Sequence, residues 1–369
     1  MGAIRRAATD GAGGTAVLTV DLGAVVDNWR RLAAEVQPAA CAAVVKADAY
    51  GLGAASVASS LARAGCRQFF VAHLAEGITL RRTLGSGVEI QVLHGPPPGS
   101  EAAFPTHDLI PVLNSMAQAA AWAAFAGSSS VPAPATVQVD TGMSRLGLSP
   151  ADLGRPGTCA ALDVRLVISH LACADDPAHP ANAAQLAVFR ELCRRWPAAG
   201  ASLAASFGIF LGREYHFDLV RPGAALYGIA PTSGPNPMRP VVRLQAPVVQ
   251  TREIASGAGV GYGHSWQATG PARIATLAIG YADGLPRSLS NRGGAWLGDR
   301  RLPIVGRVSM DSITVDASSV PAERLAPGTL LDLFGPHSGV DAVAEAAGTV
   351  GYELLTRLGS RLYRRYLPV

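Results

Sequence analysis

Residues 41–53 read CAAVVKADAYGLG, an apolar run that ends in Lys46 and is followed at once by a turn that contains glycine. The chain has 31 basic residues, and Lys46 is the only lysine among them. Arginine stays protonated in proteins, whereas a lysine amine can lose its proton and attack a carbonyl group. A lone lysine at the end of a buried strand therefore indicates a chemical role, against the simpler interpretation of a chance surface residue.

Short apolar strands alternate with helical segments through the first two-thirds of the chain. The predicted strands are 41–46, 67–74, 89–94, 109–113, 135–140, 163–171, 200–206 and 219–227. Helical patterns separate several of them, at 54–64, 76–84, 115–126 and 181–196. Continuous apolar strands are typical of a parallel sheet covered on both faces, and eight such units predict an α/β fold, a (β/α)8 barrel of the TIM type.

A second domain is predicted after about residue 235, where this alternation stops. The proline- and glycine-rich stretch SGPNPMRP (233–240) is followed by β-type segments at 241–252, 273–279, 302–308 and 312–316. We expect a disordered lead at 1–15, the barrel at 16–234 and a mostly β C-terminal domain at 235–369. The early strand VLTVDL (17–22) is a candidate to pair with that second domain.

The composition excludes several classes of protein. With 49% hydrophobic and 16% charged residues, the chain suits a soluble globular protein with a large core. A net charge of +4 without a basic run does not indicate a nucleic-acid partner. The five cysteines form no CxxC pair, which fits reduced thiols in the cytoplasm better than disulfides or a metal site. The uncharged stretch 109–139 is interrupted by proline, glycine and serine, so a packed helix is favoured over a membrane span.

Polar residues fall at the carboxyl ends of the predicted barrel strands, where this fold places its functional groups. They are Lys46, Asp140, Arg145, His170, Ser206, Arg221 and Gly223. The loops after strands seven and eight are the usual phosphate site of such barrels, so Ser206 and the Gly223 and Ala224 amides are phosphate candidates. Each residue alone is a weak signal, since a lone histidine is more often structural and a tyrosine such as Tyr281 is more often half-buried in a strand.

Five motifs, in this order and spacing, resemble those of alanine racemase: VVKADAYGLG (44–53), VDTGMSRLG (139–147), VRPGAALYG (220–228), IGYADG (279–284) and GRVSMD (306–311). The resemblance extends from about residue 17 to the end. It implies the barrel-plus-β architecture, pyridoxal 5'-phosphate as cofactor, a small amino-acid substrate and a homodimer with shared active sites. The implied activity is a cytoplasmic interconversion of L- and D-alanine, which supplies a peptidoglycan precursor.

The resemblance implies two catalytic bases. Lys46 would form the Schiff base with the cofactor and serve one face of the substrate, and Tyr281 of the other protomer would serve the opposite face. Racemisation removes a proton from one face and returns one to the other, which a single base cannot easily do. Tyrosine, with an ordinary pKa of about 10, needs a lowered pKa or an immediate partner to act as a base.

The resemblance assigns binding roles to a larger set. The cofactor-binding residues would be Lys46, Tyr50, His170, Ser206, Arg221, Gly223 and Ala224. The substrate carboxylate would meet Arg145 and the Met310 backbone amide, with Asp311 shaping that loop. Arg221, supported by His170, would face the pyridine nitrogen and keep it unprotonated, which limits side reactions such as transamination. No metal is implied.

Two positions depart from the family pattern. Gln138 stands where a lysine, often carbamylated, usually orients Arg145. A glutamine oxygen can accept a hydrogen bond from Arg145, which would preserve that orientation. Ser360 stands where many members place a tyrosine at the substrate entrance, and Tyr363 could supply a ring instead.

Three alternatives stay open at this point. A racemase of serine or of a larger amino acid shares these motifs. A decarboxylase of basic amino acids should carry a catalytic cysteine in its β domain, but every cysteine here lies within the first 193 residues. A non-catalytic binding protein for pyridoxal phosphate would keep the barrel and its lysine but lack the motifs of the second domain.

Overall fold

The computed structural model describes residues 14–129, 133–154 and 159–369, so most of the predicted disordered lead, at 1–13, lies outside the described residues. The chain divides into two units. The barrel unit comprises Leu22–Arg239, and the β unit comprises the described residues up to Asp21 together with Pro240–Pro368. No helix of the described residues is both long and apolar enough to cross a membrane.

The strands of the barrel unit form a closed parallel ring. They are β2 (Ala40–Cys41), β3 (Ala43–Val44), β4 (Gln68–Val71), β5 (Glu89–Val92), β6 (Ile110–Leu113), β7 (Pro134–Gln138), β8 (Asp163–Ile168), β9 (Gly200–Ser202) and β10 (Leu219–Val220). The sheet runs from β3 to β9 in chain order, and β10 pairs in parallel with β2. The Ala42 amide donates to the Val220 carbonyl at 3.0 Å, and the Arg221 amide donates to the Ala204 carbonyl at 2.9 Å. These bonds join the last strand to its neighbours on both sides, which confirms the predicted (β/α)8 barrel.

Helices alternate with these strands. They are α1 (Leu22–Glu35), α2 (Lys46–Gly51), α3 (Ala54–Arg63), α4 (Leu74–Leu84), α5 (Ala103–Thr106), α6 (Met116–Ser128), α7 (Pro150–Gly154) and α8 (Pro180–Cys193). The uncharged stretch contains α6, which begins where the Ser115 hydroxyl accepts a hydrogen bond from the Gln118 amide at 3.2 Å and which buries Ala119 and Trp122. The stretch therefore contains a helix that packs through these two residues, as predicted.

Most of the predicted strands are shorter in the structure than expected, and three illustrate this. The strand predicted at 200–206 ends at Ser202, and the one predicted at 219–227 ends at Val220. In both, the apolar residues continue into 3-10 turns and loops at the carboxyl end of the barrel. The strand predicted at 302–308 ends at Pro303. It could not have reached 308, because Gly306 has a φ of +81° that a strand does not allow.

The β unit is built around one long strand. Its strands are β1 (Val17–Asp21), β11 (Val242–Ile254), β12 (Gly259–Val260), β13 (Trp266–Gln267), β14 (Ala272–Leu277), β15 (Gly294–Leu297), β16 (Arg300–Pro303), β17 (Ile313–Asp316), β18 (Leu330–Phe334) and β19 (Tyr363–Leu367), and its helices are α9 (Val340–Ala347) and α10 (Gly351–Thr356). Strand β11 pairs with β1, β14 and β18. Strand β1 also pairs in parallel with β19, so the first and last described strands lie side by side.

Asn28 of α1 should contribute strongly to the stability of the barrel unit. It is 1% exposed. Its amide donates to the Leu226 and Arg239 carbonyls at 3.2 and 3.0 Å, and its oxygen accepts from the Arg239 amide at 2.7 Å. Asn28→Ala leaves these buried backbone groups unpaired and should lower the free energy of unfolding by about 2–3 kcal/mol.

The neighbouring Asp27→Ala variant is the matched control. Asp27 forms exposed ion pairs with Arg30 and Arg239, which typically contribute less than about 1 kcal/mol. Urea unfolding followed by circular dichroism compares the two variants. If both variants lower the free energy of unfolding equally, the buried hydrogen bonds of Asn28 do not make the larger contribution to stability.

Candidate active site

Lys46 lies just beyond the predicted first barrel strand, which ends at Val44 in the structure, and is the first residue of α2 among other cations. Burial lowers the pKa of its amine, Arg145 and Arg221 lower it further, and Glu76 raises it in opposition. A lowered pKa increases the fraction of neutral amine at neutral pH. The structure therefore brings the lone lysine together with two of the predicted arginines.

Arg221 is 5% exposed and is held by backbone carbonyls. Its Nη1 donates to the Ser202 carbonyl at 2.7 Å and also to the Ser202 hydroxyl, and its Nη2 donates to the Ser169 carbonyl. Burial lowers its pKa to about 10, so the guanidinium remains charged at neutral pH. Sequence reasoning missed Ser169 and Ser202, whose only signal was their place at the ends of strands.

His170 stays neutral beside these cations. Burial lowers its pKa to about 3, with further contributions from Arg221, Arg145 and Lys46. Within the described residues, no hydrogen bond joins its ring to Arg221. His170 was expected to support Arg221, but in this structure Ser169 and Ser202 hold the guanidinium. His170 contributes an uncharged ring nearby.

The predicted phosphate residues lie together. The Ser206 hydroxyl oxygen accepts hydrogen bonds from the Gly223 and Ala225 amides at 3.0 and 3.1 Å. The Ala224 amide donates to no acceptor in the part of the chain that the structure describes. A Cβ on Gly223 would collide with the Tyr50 hydroxyl, so only glycine fits at this place. The result is a small cradle, lined by Tyr50, Ser206 and backbone, in which the Ser206 proton and the Ala224 amide can bind an anion.

The loop that carries Arg145 is fixed through its main chain. The Asp140 carboxylate accepts hydrogen bonds from the Gly142, Met143 and Ser144 amides at 2.9 to 3.1 Å. Arg145 itself is exposed. This bracing sets the direction of the loop while leaving the guanidinium open to a ligand.

Gln138 does not take the role expected for it. Its side-chain amide donates to the Leu146 carbonyl at 3.2 Å, and no hydrogen bond joins it to Arg145 among the described residues. The side chain thus binds the backbone of the residue next to Arg145 rather than the guanidinium.

In the β unit, Tyr281 and Met310 stand on two loops that are bonded to each other. The Tyr281 amide donates to the Ser309 carbonyl and the Ala282 amide donates to the Met310 carbonyl, both at 3.0 Å. A Cβ on Gly280 would collide with these same carbonyls, so the close approach requires glycine. Tyr281 is 43% exposed and starts a 3-10 turn, so its interpretation as an ordinary strand tyrosine was wrong.

The backbone amide of Met310 is available for a ligand. It donates to no acceptor within the ranges that the structure describes, and the residue is 53% exposed. This N–H group therefore lies on a loop that is hydrogen-bonded to the loop of Tyr281.

Arg361 connects both loops and was missed by sequence reasoning. Its Nε lies 3.0 Å from the buried Asp283 carboxylate, and its Nη1 donates to Asp311 at 2.6 Å. Asp283 also accepts a hydrogen bond from the Gly280 amide at 2.8 Å. Asp311 thus joins the GRVSMD loop to the C-terminal segment, next to Ser360, through an arginine that no motif singled out.

The comparisons with known proteins cover both units. The profile of the alanine racemase N-terminal domain matches residues 20–231, and that of the alanine racemase C-terminal domain matches residues 241–366. A protein of Mesorhizobium japonicum named "Alanine racemase, catabolic" is 54% identical over 358 residues, which covers 95% of this chain and 93% of the relative. One of Agrobacterium fabrum with the same name is 51% identical over 368 residues, which covers 98% of this chain and 94% of the relative.

A solved structure is similar over the same extent. The crystal structure of an alanine racemase from Bartonella henselae with covalently bound pyridoxal phosphate has a TM-score of 0.92 at 42% identity. The match covers 96% of this chain and 99% of that one. With two family domains that together span the barrel and β units, this chain belongs to the alanine racemase family.

Proposed function

We propose that this chain is a pyridoxal 5'-phosphate-dependent alanine racemase that uses Lys46 and Tyr281 as its two bases. The observation that carries the proposal is the only lysine of the chain, partly buried at the end of a barrel strand beside Arg145 and Arg221. Non-catalytic binding does not require the loops of the second domain, whereas racemisation requires a second base. The exposed Tyr281 beside the open Met310 amide fits that requirement.

The residues present fit the cofactor. The cradle of Tyr50, Ser206, Gly223 and Ala224 suits a phosphate group, since Gly223 lets the Tyr50 hydroxyl lie close to the backbone amides and the Ser206 hydroxyl. Two arginines and a lysine favour the binding of anionic groups nearby. When bound, pyridoxal phosphate supplies the electron sink that makes the α-proton of an amino acid acidic.

Each side chain then has a defined task. Arg221 remains protonated, so it would present a permanent cation to the pyridine nitrogen of the cofactor, which would keep that nitrogen unprotonated. Arg145 and the Met310 amide bind the substrate carboxylate, which aligns the Cα–H bond between the bases. Lys46, with its lowered pKa, moves a proton on one face, and Tyr281 moves a proton on the other.

We propose that the chain works as a cytoplasmic homodimer. Tyr262, Tyr281 and Met310 are large exposed side chains on neighbouring loops of the β unit. The loop of Tyr262 contacts that of Met310, since a Cβ at Gly261 would lie 3.4 Å from the Arg307 amide. Such clustered apolar exposure is typical of an interaction surface, and the family resemblance makes a second copy of this chain its partner.

Incubation with a panel of L-amino acids tests the activity. With pyridoxal phosphate, the protein should form D-alanine from L-alanine faster than it forms any other D-amino acid, as resolved by chiral chromatography. Lys46→Ala is the matched control and should reduce formation by at least about 10³-fold, because the chain has no other lysine. Faster formation of D-serine would replace alanine with serine as the substrate.

Tyr281→Phe should impair proton transfer unequally on the two faces. By the proposed roles, Tyr281 takes the proton from L-alanine and Lys46 takes it from D-alanine. When the reaction starts from L-alanine in D₂O, the rate at which deuterium replaces the α-proton of the recovered L-alanine should therefore fall on the order of 10²–10⁴-fold. The same rate measured for D-alanine should fall less. Equal losses from both enantiomers would point to a structural role for Tyr281.

A further inference from the structure

Four consecutive residues directly after Lys46 adopt a left-handed conformation. Ala47, Asp48, Ala49 and Tyr50 have φ between 53° and 57°, so α2 is a single left-handed turn. None of them is glycine, and each is disfavoured in this conformation by contact between its Cβ and the following carbonyl. A strained segment of this kind persists only when its surroundings hold it in place.

The first residue of the turn is held by a side chain from elsewhere in the barrel. The Ala47 amide donates to Glu76 Oε1 at 2.7 Å. Two further bonds of the turn are local: Asp48 Oδ1 accepts from the Ala54 amide at 2.7 Å, and the Ala49 amide donates to the Val45 carbonyl at 2.9 Å. Glu76 therefore anchors the segment from a distant part of the chain.

The second oxygen of Glu76 is fixed in turn. Glu76 Oε2 accepts hydrogen bonds from the Ala72 and His73 amides at 2.7 and 3.0 Å, at the start of α4. One carboxylate thus binds three backbone N–H groups and connects the end of β3 to the end of β4. Bonds to an ionised carboxylate are the stronger class of hydrogen bond, so this connection is rigid.

The turn determines where two site residues lie. Lys46 precedes it, and Tyr50 ends it. The Tyr50 ring packs on that of Tyr227 with centroids 4.7 Å apart, and its hydroxyl lies against Gly223. A change of backbone direction at Ala47 would move both the amine and the phosphate cradle.

We propose that Glu76 is the positioning residue that holds this left-handed turn and, through it, the amine of Lys46 in its working direction. The inference rests on the proposed function, since it concerns the base that serves D-alanine. Glu76 also provides the negative charge that opposes Arg145 and Arg221 at Lys46. It acts through the backbone and does not itself touch the substrate.

Glu76→Gln in the full-length holoenzyme tests the proposal. The amide keeps the shape of the side chain but replaces one accepting oxygen with a donor that must face a backbone N–H. Hydrogen exchange measured by mass spectrometry should be about 10–100-fold faster in residues 46–53. The rate at which solvent deuterium replaces the α-proton of recovered D-alanine should fall on the order of 10–100-fold. The same rate for L-alanine should fall less.

Glu89→Gln is the matched control. This carboxylate lies at the other end of the barrel strands, at the start of β5, where it accepts a hydrogen bond from Gln68 at 2.8 Å. It should change neither measurement. The proposal is overturned if Glu76→Gln leaves backbone hydrogen exchange in residues 46–53 unchanged. It is also overturned if the rates of α-proton exchange for L- and D-alanine fall equally.

Ala47→Gly supplies the rescue. Glycine adopts positive φ without strain. The double variant Glu76→Gln/Ala47→Gly should therefore exchange the α-proton of D-alanine roughly five- to tenfold faster than Glu76→Gln alone. If Glu76→Gln alone does not fold, recovery of folded protein by the double variant supports the proposal, and its failure to fold overturns it. Absence of racemase activity in the unmodified chain would contradict the proposed function instead, while hydrogen exchange still tests Glu76.

Discussion

Repulsion between Lys46 and the two arginines Arg145 and Arg221 is the constraint on which the rest of the barrel site depends. Burial disfavours the charges of Lys46 and Arg221, and the exposed Arg145 adds a third positive charge beside them. The carbonyls of Ser169 and Ser202 hold Arg221, and the Glu76 carboxylate opposes the two arginines at Lys46. An anionic ligand would relieve the repulsion, and the amine, as the only one of the three that readily loses its proton, is the group proposed to react.

The β unit satisfies a different requirement, because its site residues are exposed and must be held by their own loops. Tyr281 and Met310 are placed by backbone hydrogen bonds between two loops, and Arg361 ties both loops to the C-terminal segment. The loops thereby acquire fixed positions without being buried. A catalytic group on an exposed surface suits a site that is completed by another surface, which is the physical argument for the proposed dimer.

The sequence predicted the barrel because eight apolar runs of strand length alternate with helical patterns. It proposed candidate site residues in the barrel because those runs define the strand ends. The shorter strands escaped prediction, since apolar residues such as Leu226 and Tyr227 are buried in turns as fully as in strands. The left-handed turn also escaped it, because alanine and tyrosine give no local signal of positive φ. Glu76 and Arg361 act through contacts distant in sequence, which no pattern of neighbouring residues reveals.

Purified mixed dimers test the central claim, that Lys46 and Tyr281 of different protomers complete one site. Chains with Lys46→Ala and Tyr281→Ala are co-expressed with different tags, and the mixed dimer is isolated by tandem purification. Each mixed dimer would contain one site with both bases and one with neither, so its activity should be about half that of the unmodified dimer, while each parent stays inactive. A mixed dimer as inactive as its parents would contradict the account, because both bases would then belong to one chain.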